Sequence, residues 1–326
     1  MISVIVPAFN VESAIINTLD SILAQSYPEI EVIVIDDGST DKTGRIIDTY
    51  AAKHKQIIAV HTQNQGVTAA RLSGIKRASG EWIGFVDGDD EIEPDMYELL
   101  LKNAELYKAD ISHCGYQMIF ADGRVNYFHN TGHFVQQDKI TGLKDLLNGS
   151  LIEPSLCNKL FRKTLFYNLL QPAAIDKSIK INEDLLMNYM LFSEANKSIY
   201  QDICKYHYLV RNTSVSRESM NQHKIFDPIR VKQIILDMDI DNMDKAAMRA
   251  YIGTCVNVYN ALVLDKTGRF VQEQKIVRHL INERKHWVSL LSRKQQLLAN
   301  LILYIPIGYK PIYRFYAKYL LKNYYE

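Results

Sequence analysis

Over the first third of the chain, short β-branched runs alternate with longer stretches in which apolar residues recur every three or four positions. The runs SVIVPA, EVIVIDD, QIIAVHT and WIGFVD have strand length and little polar interruption, the pattern of strands buried on both faces. Between them, VESAIINTLDSILAQ sets Ile15, Ile16, Leu19, Ile22 and Leu23 on one helical stripe. TDKTGRIIDTYAAKH predicts a second helix with Thr40 or Asp41 as its N-cap. GVTAARLSGIKRAS supplies a third, and PDMYELLLKNAELYK a fourth with Pro94 at the favoured first helical position. Strand–helix–strand repetition at this spacing predicts an α/β fold with a doubly wound, mostly parallel sheet. ADISHCGYQMIF followed by RVNYFHN reads as a strand and hairpin, so the sheet is expected to become mixed at its edge. Beyond residue 216 the period turns helical, in IFDPIRVKQIILDMDI, DKAAMRAYIGTCVNVYNALVL and KIVRHLINERKHWVSLL. A boundary between a domain of residues 1–216 and a helical region of residues 217–326 is expected near Ser216 to Gln222.

Composition narrows the partners. With 326 residues, 47% hydrophobic and 23% charged, the chain can build a substantial core. A net charge of +1 gives no global field for nucleic acid. Cys114, Cys157, Cys204 and Cys255 are scattered with no C-x-x-C pair, which suits a reducing cytoplasm and not a disulfide scaffold or zinc site. The opening MISVIVPAFN reads as a buried strand, not as a signal peptide. The apolar stretch Leu297 to Tyr309 is too short to cross a bilayer, which takes roughly 20 residues.

In an open parallel sheet, ligands bind at the carboxyl ends of the strands. Four polar clusters fall there: Pro7 to Asn10, Asp36 to Ser39, Asn64 to Gly66, and Asp87 to Asp90. The last belongs to FVDGDDEIEP, where Asp87, Asp89, Asp90 and Glu91 crowd together. Neither G-x-G-x-x-G after the first strand nor G-x-x-x-x-G-K-[ST] is present. Carboxylates repel phosphate unless a divalent cation stands between them, and oxygen ligands favour Mn²⁺ or Mg²⁺. Three rivals stay open at this point. An EF-hand calcium loop meets Ile92 where glycine must turn; an aspartyl phosphatase meets Glu91 in place of Thr or Val; a solvated acidic loop would cap the next helix.

The long ordered match SVIVPAFN, SILAQSYPEIEVIVIDDGSTD and NQGVTAARLSGIKRASGEWIGFVDGDD resembles the family 2 glycosyltransferases of the GT-A fold. The likeness is dense over residues 1–115, implying a nucleotide-sugar-binding half, and thinner over 116–216, implying an acceptor-side half. It implies an inverting, metal-dependent transfer from a nucleotide-sugar donor, commonly a UDP-sugar, to a glycan or lipid-linked glycan acceptor in surface polysaccharide synthesis. Pro7 and Phe9 would line the nucleobase slot, Glu12 would brace its edge, and Asp37 would accept a hydrogen bond from the uracil ring. Asn64, Gly66 and Arg71 would approach the base or phosphates. Asp89 would coordinate the metal, with Asp87 on the ribose or a metal-bound water; Asp90 and Glu91 would cap the next helix. Asp184 of the Glu183–Asp184 pair would be the general base, ionised with an ordinary pKa. Lys159 would stand near the donor phosphates. YHYLVRNTSVS would form a flexible end to the catalytic domain, with His207 as a further metal ligand.

A sugar nucleotidyltransferase on the same fold should carry a glycine- and arginine-rich first loop with a lysine, unlike PAFNVES. A non-catalytic nucleotide-sugar-binding subunit should show damage at the acidic or Glu–Asp positions, and both are intact. From Ile281 to Glu326, eight basic residues face two acids, with tyrosines interleaved in YKPIYRFYAKYLLKNYY. This composition suits peripheral contact with the inner face of the cell membrane. A helical oligomer interface or packing onto the chain itself is the competing expectation.

Overall fold

The computed structural model describes residues 1–149, 151–210, 219–265 and 267–320. The chain divides into two compact units, Met1–Glu218 and Ser219–Glu326.

The first unit is built on a ten-stranded sheet. Strand β1 (Ile2–Ala8) is buried along its whole length and pairs in parallel with β2 (Ile30–Asp36) and β4 (Trp82–Phe85). Strand β3 (Ile57–His61) joins β2 in parallel at the edge. There the expected two-sided burial gives way: Ile58 faces solvent, as an edge strand allows. On the other side of β4 the sheet is mixed. Strand β9 (Lys159–Arg162) runs antiparallel between β4 and β6 (Ile111–Phe120). Strand β10 (Lys197–Val210) pairs in parallel with β6 and carries the short β5 (Glu91–Ile92) and β8 (Phe134–Asp138) antiparallel. The expected hairpin is β6 with β7 (Val125–Tyr127).

Helices α1 (Ile15–Leu23), α2 (Thr43–Lys53), α3 (Val67–Arg77) and α4 (Met96–Tyr107) connect the early strands. α5 (Lys139–Asn148) and α6 (Glu183–Glu194) pack together before β10. Two helix starts differ from expectation. α2 begins after Lys42, and Asp41 accepts from the Thr43 N–H (2.9 Å) one residue further on. α4 begins after Asp95, leaving Pro94 in the preceding turn, where its carbonyl accepts from Ser26 N–H.

The carboxyl ends of the first four strands are knitted together by backbone bonds. Asp37 N–H donates to the Ala8 carbonyl and Thr62 N–H to that of Asp36, each at 2.9 Å, while Gly88 N–H reaches Pro7 at 3.2 Å. Gly38 makes one approach possible: its φ is +75°, and a Cβ there would lie 2.8 Å from the Asn64 backbone nitrogen. Pro7 and Ala8 belong to the strand, so of the cluster Pro7 to Asn10 only Phe9 and Asn10 lie beyond it.

The second unit is helical, with α7 (Gln222–Asp237), α8 (Asp244–Leu264), α9 (Val271–Glu283), α10 (Arg293–Tyr304) and α11 (Pro306–Leu320). Its core gathers Ile252, Val256, Leu262, Val277, Ile281 and Ile302, with Tyr309 of α11 fully buried against them. Lys322 and Glu326 lie outside the described residues.

Replacing Gly38 by Ala strains an L-residue at positive φ and drives a methyl into backbone. Gly38→Ala is expected to lower unfolding free energy by about 1–3 kcal/mol, measured by denaturant titration.

Candidate active site

The rim assembles from loops that use their own carboxylates to hold one another. Buried Asp37 accepts from the backbone N–H of Gln65 (2.9 Å) and Gly66 (2.8 Å) and from the Thr62 hydroxyl (3.2 Å). Gly66 is the residue before α3, with φ at +88°, so Asp37 secures that helix's amino end. A carboxylate offers roughly four acceptor sites, so capacity for one ligand donor remains. Next to it, Asp36 accepts from Ser39 N–H (3.0 Å) and contacts the His61 ring (2.8 Å). Burial opposes ionisation of Asp36, but the Ser39 and His61 hydrogen bonds outweigh it and hold the carboxyl below its usual range. Glu12 accepts from Lys42 N–H (2.9 Å) and donates its own N–H to Asp41 (3.1 Å), which ties the first loop to the second. Phe9, Asn64 and Gly66 are exposed. A cleft of about 460 Å³ opens beside Asp37, lined also by Thr62, Gln65, Ser73, Lys76 and Ile175.

Helix α3 carries Arg71 inward. Its guanidinium is buried and donates to Asp87 (3.0 Å) at the end of β4 and to Glu183 (3.2 Å) at the start of α6. Arg71 therefore joins two segments 96 residues apart in sequence, instead of reaching freely toward a base or phosphate. Its Nε is buried without a partner among the described residues.

Beyond Asp87 the acidic loop folds back on β10. Gly88 fits because a Cβ there would stand 2.9 Å from the Pro7 carbonyl oxygen. Asp90 does not cap α4: its carboxylate accepts from the Tyr206 hydroxyl (2.7 Å) and Leu209 N–H (3.0 Å). Burial, with Asp87 and Asp89 nearby, pushes the Asp90 carboxyl well above its usual range. Glu91 likewise pairs into β5 opposite His207. The His207 Nε2 lies 2.8 Å from Glu93, so this ring is engaged with a carboxylate of its own.

Asp184 sits in the first turn of α6 and accepts from Leu185 N–H (2.7 Å). It lines a cavity of about 260 Å³ together with Asp87, Tyr116, Glu153, Asn158 and Tyr208. Burial pushes the Asp184 carboxyl upward, with Arg71 opposing, in place of the ordinary pKa expected from sequence. Glu183 is raised too, by burial and by Asp184 beside it. Lys159 is fully buried on β9, and its ammonium donates to the carbonyls of Glu153 (2.8 Å) and Ser155 (2.6 Å) and to Asn158 (2.7 Å). Desolvation lowers its pKa to about 8. All three of its protons are directed into the loop that walls the cavity, an arrangement different from the expected phosphate contact.

The fold thus brings Asp87, Arg71, Glu183 and Asp184 together. Glu153 and Tyr116, joined hydroxyl to carboxylate at 3.1 Å, complete the cavity and were not among the expected site residues. The signal for Tyr116 was its period-two position with Cys114 and Met118 on β6; Glu153, in an irregular segment, had none. Among the described residues no group of three or more His, Cys, Asp or Glu side chains is arranged to hold an ion by itself.

Comparison with known proteins places this architecture. TarS residues 1–349 of S. aureus, solved in complex with UDP-GlcNAc, superpose with a TM-score of 0.65 at 21% identity, over 96% of this chain and 88% of that one. The likeness defines the class as a GT-A fold. Glycosyl transferase family 2 matches residues 3–170. Glycosyltransferase GlyA of Streptococcus pneumoniae is 33% identical over 223 residues, 66% of this chain and 31% of its own length. The uncharacterized glycosyltransferase EpsJ of Bacillus subtilis is 32% identical over 231 residues, 68% of this chain and 66% of EpsJ. This chain therefore spans about a third of the one relative and about two thirds of the other. It belongs to glycosyl transferase family 2.

Removing the shared cation leaves two carboxylates facing without compensation. Arg71→Met is expected to cost about 3 kcal/mol of stability, read by denaturant titration. Arg71→Lys should recover only part of it, because a compact ammonium lacks the planar guanidinium whose two terminal nitrogens each meet one carboxylate.

Proposed function

We propose that this glycosyltransferase moves a sugar from a nucleotide-sugar donor, a UDP-sugar, to a hydroxyl of a glycan or lipid-linked glycan acceptor, with inversion at the anomeric carbon. The reading places it in surface polysaccharide synthesis, in the cytoplasm at the inner face of the cell membrane. The observation that carries the chemistry is the shared cavity of Asp184 and Asp87, approached from α6 and from the end of β4. The UDP-GlcNAc bound by TarS supports the donor class. The minor teichoic acid biosynthesis protein GgaB of Bacillus subtilis, 30% identical over 217 residues, supports the placement in surface polymer synthesis.

Asp184 is the general base. Its carboxylate takes the proton of the acceptor hydroxyl as that oxygen bonds to the anomeric carbon. The bond from that carbon to the donor phosphate breaks, and its electron pair leaves with the nucleoside diphosphate. Attack from the opposite face inverts the configuration without a covalent sugar–enzyme species. Glu153 and Tyr116 present hydrogen-bonding groups to the acceptor, and Tyr208 offers a ring edge or face. Asp37 receives the nucleobase N–H at its remaining acceptor site.

The residues fit a hard divalent ion, Mn²⁺ or Mg²⁺, held by Asp89 with Asp87. Such an ion takes one or two carboxylates, completing its shell from substrate phosphates and water. Bound there, it would neutralise charge on the leaving diphosphate.

Asp184→Asn is expected to lower turnover by about 10² to 10⁴ while UDP affinity, read by calorimetry, is unchanged; an Asn variant with normal turnover refutes the assignment. The base acts only when ionised, and its pKa is raised. Activity should therefore fall on acidification at a higher pH than an ordinary carboxylate would give, shown by the pH profile of kcat. Asp89→Ala should remove the Mn²⁺-dependent part of UDP binding, and equal affinity with and without the ion in both proteins would overturn the metal reading.

A further inference from the structure

Helix α11 has two unlike sides. On one, Tyr309 and Tyr313 stack with ring centroids 5.5 Å apart and turn into the core of the second unit. The Tyr309 hydroxyl donates to Asn260, and Arg314 reaches the Val263 carbonyl at 2.9 Å. These bonds fix the helix on α8. On the other side, Ile312, Phe315 and Tyr319 recur at helical spacing, and all three are exposed. Ile307 is 92% exposed and Phe315 65%. Tyr304, at the end of α10, is exposed as well. Apolar surface of this kind left in water marks a contact site.

The charge pattern selects the occupant. From Arg293 to Leu320 there are five basic residues, Arg293, Lys294, Lys310, Arg314 and Lys318, and no acid. Arg314 is engaged by α8, and the segment offers a second copy no carboxylate to meet Lys310 and Lys318. An anionic lipid surface meets both features: apolar side chains enter the headgroup boundary while basic ones face the lipid phosphates. No helix among the described residues is long and apolar enough to cross a membrane, so the contact is one that lies on the bilayer.

We propose that the exposed face of α11, with the end of α10, seats the protein on an anionic phospholipid surface. The inference deepens the placement at the membrane given above and rests on the second unit alone, so it stands or falls apart from the transfer chemistry. In flotation assays, the full chain should rise with vesicles of phosphatidylcholine and phosphatidylglycerol mixed equally, and stay down with phosphatidylcholine alone. The Ile307→Glu/Phe315→Glu double variant should lose flotation while keeping UDP binding. Lys318→Gln, which leaves the apolar side chains in place, should weaken vesicle affinity about fivefold. Failure of the unaltered chain to float, or equal flotation with neutral vesicles, overturns the proposal. So does a sedimenting dimer that the Glu variant splits to monomer, which would assign the face to a second copy. Loss of UDP binding by the unaltered chain would count against the donor reading and leave the lipid result untouched.

Discussion

The buried Arg71 guanidinium is the tie on which the site depends. Its two donated hydrogen bonds connect the end of β4 to the start of α6 through α3. A planar fork with fixed donors suits this bridging. Because Asp87 and Asp184 face one cavity, the relative position of the acidic loop and the base follows from that single side chain and from the helix that carries it. The helix in turn is held at its amino end by Asp37, whose carboxylate receives the Gln65 and Gly66 N–H groups. A line of contact thus runs from the loop after β2, along α3, to the base.

The same line shows how much of the rim's polarity is structural. Glu12, Lys159, His207 and Asp90 each have partners within the protein: a backbone N–H for Glu12, loop carbonyls for Lys159, Glu93 for His207, and Tyr206 with Leu209 N–H for Asp90. These bonds hold the rim loops to the rest of the first unit, and buried polar groups left unpaired would be costly. Preorganisation of this sort holds reacting groups in place before substrate arrives.

The strands and helices of the first unit were legible because β-branched runs and helical stripes are properties of contiguous sequence. The convergence of four strand ends was legible from topology, since parallel strands put their carboxyl ends on one rim. Side-chain partners were not. Arg71 was expected near a phosphate because its place on α3 is readable, whereas its partners 16 and 112 positions away, after β4 and at the start of α6, meet it only in the folded chain. Asp90 read as a helix cap because α4 follows closely in sequence, yet β10 crosses the same loop and takes its carboxylate. Edge position was hidden as well: QIIAVHT is as apolar as the central strands, and only the order of the sheet exposes Ile58.

The electrostatics of the cavity bear on what it admits. Asp87, Asp90, Glu153 and Asp184 all face it, and burial raises Asp90, Glu153 and Asp184 above their usual ranges. The cations whose fields reach Asp184 are Arg71 and Lys159, and both are engaged, one by carboxylates and the other by loop carbonyls. A negatively charged nucleophile would meet repulsion there, while a neutral hydroxyl would meet acceptors ready for its proton. The raised Asp184 carboxyl thus suits a neutral acceptor hydroxyl, whose proton it takes once it is itself ionised.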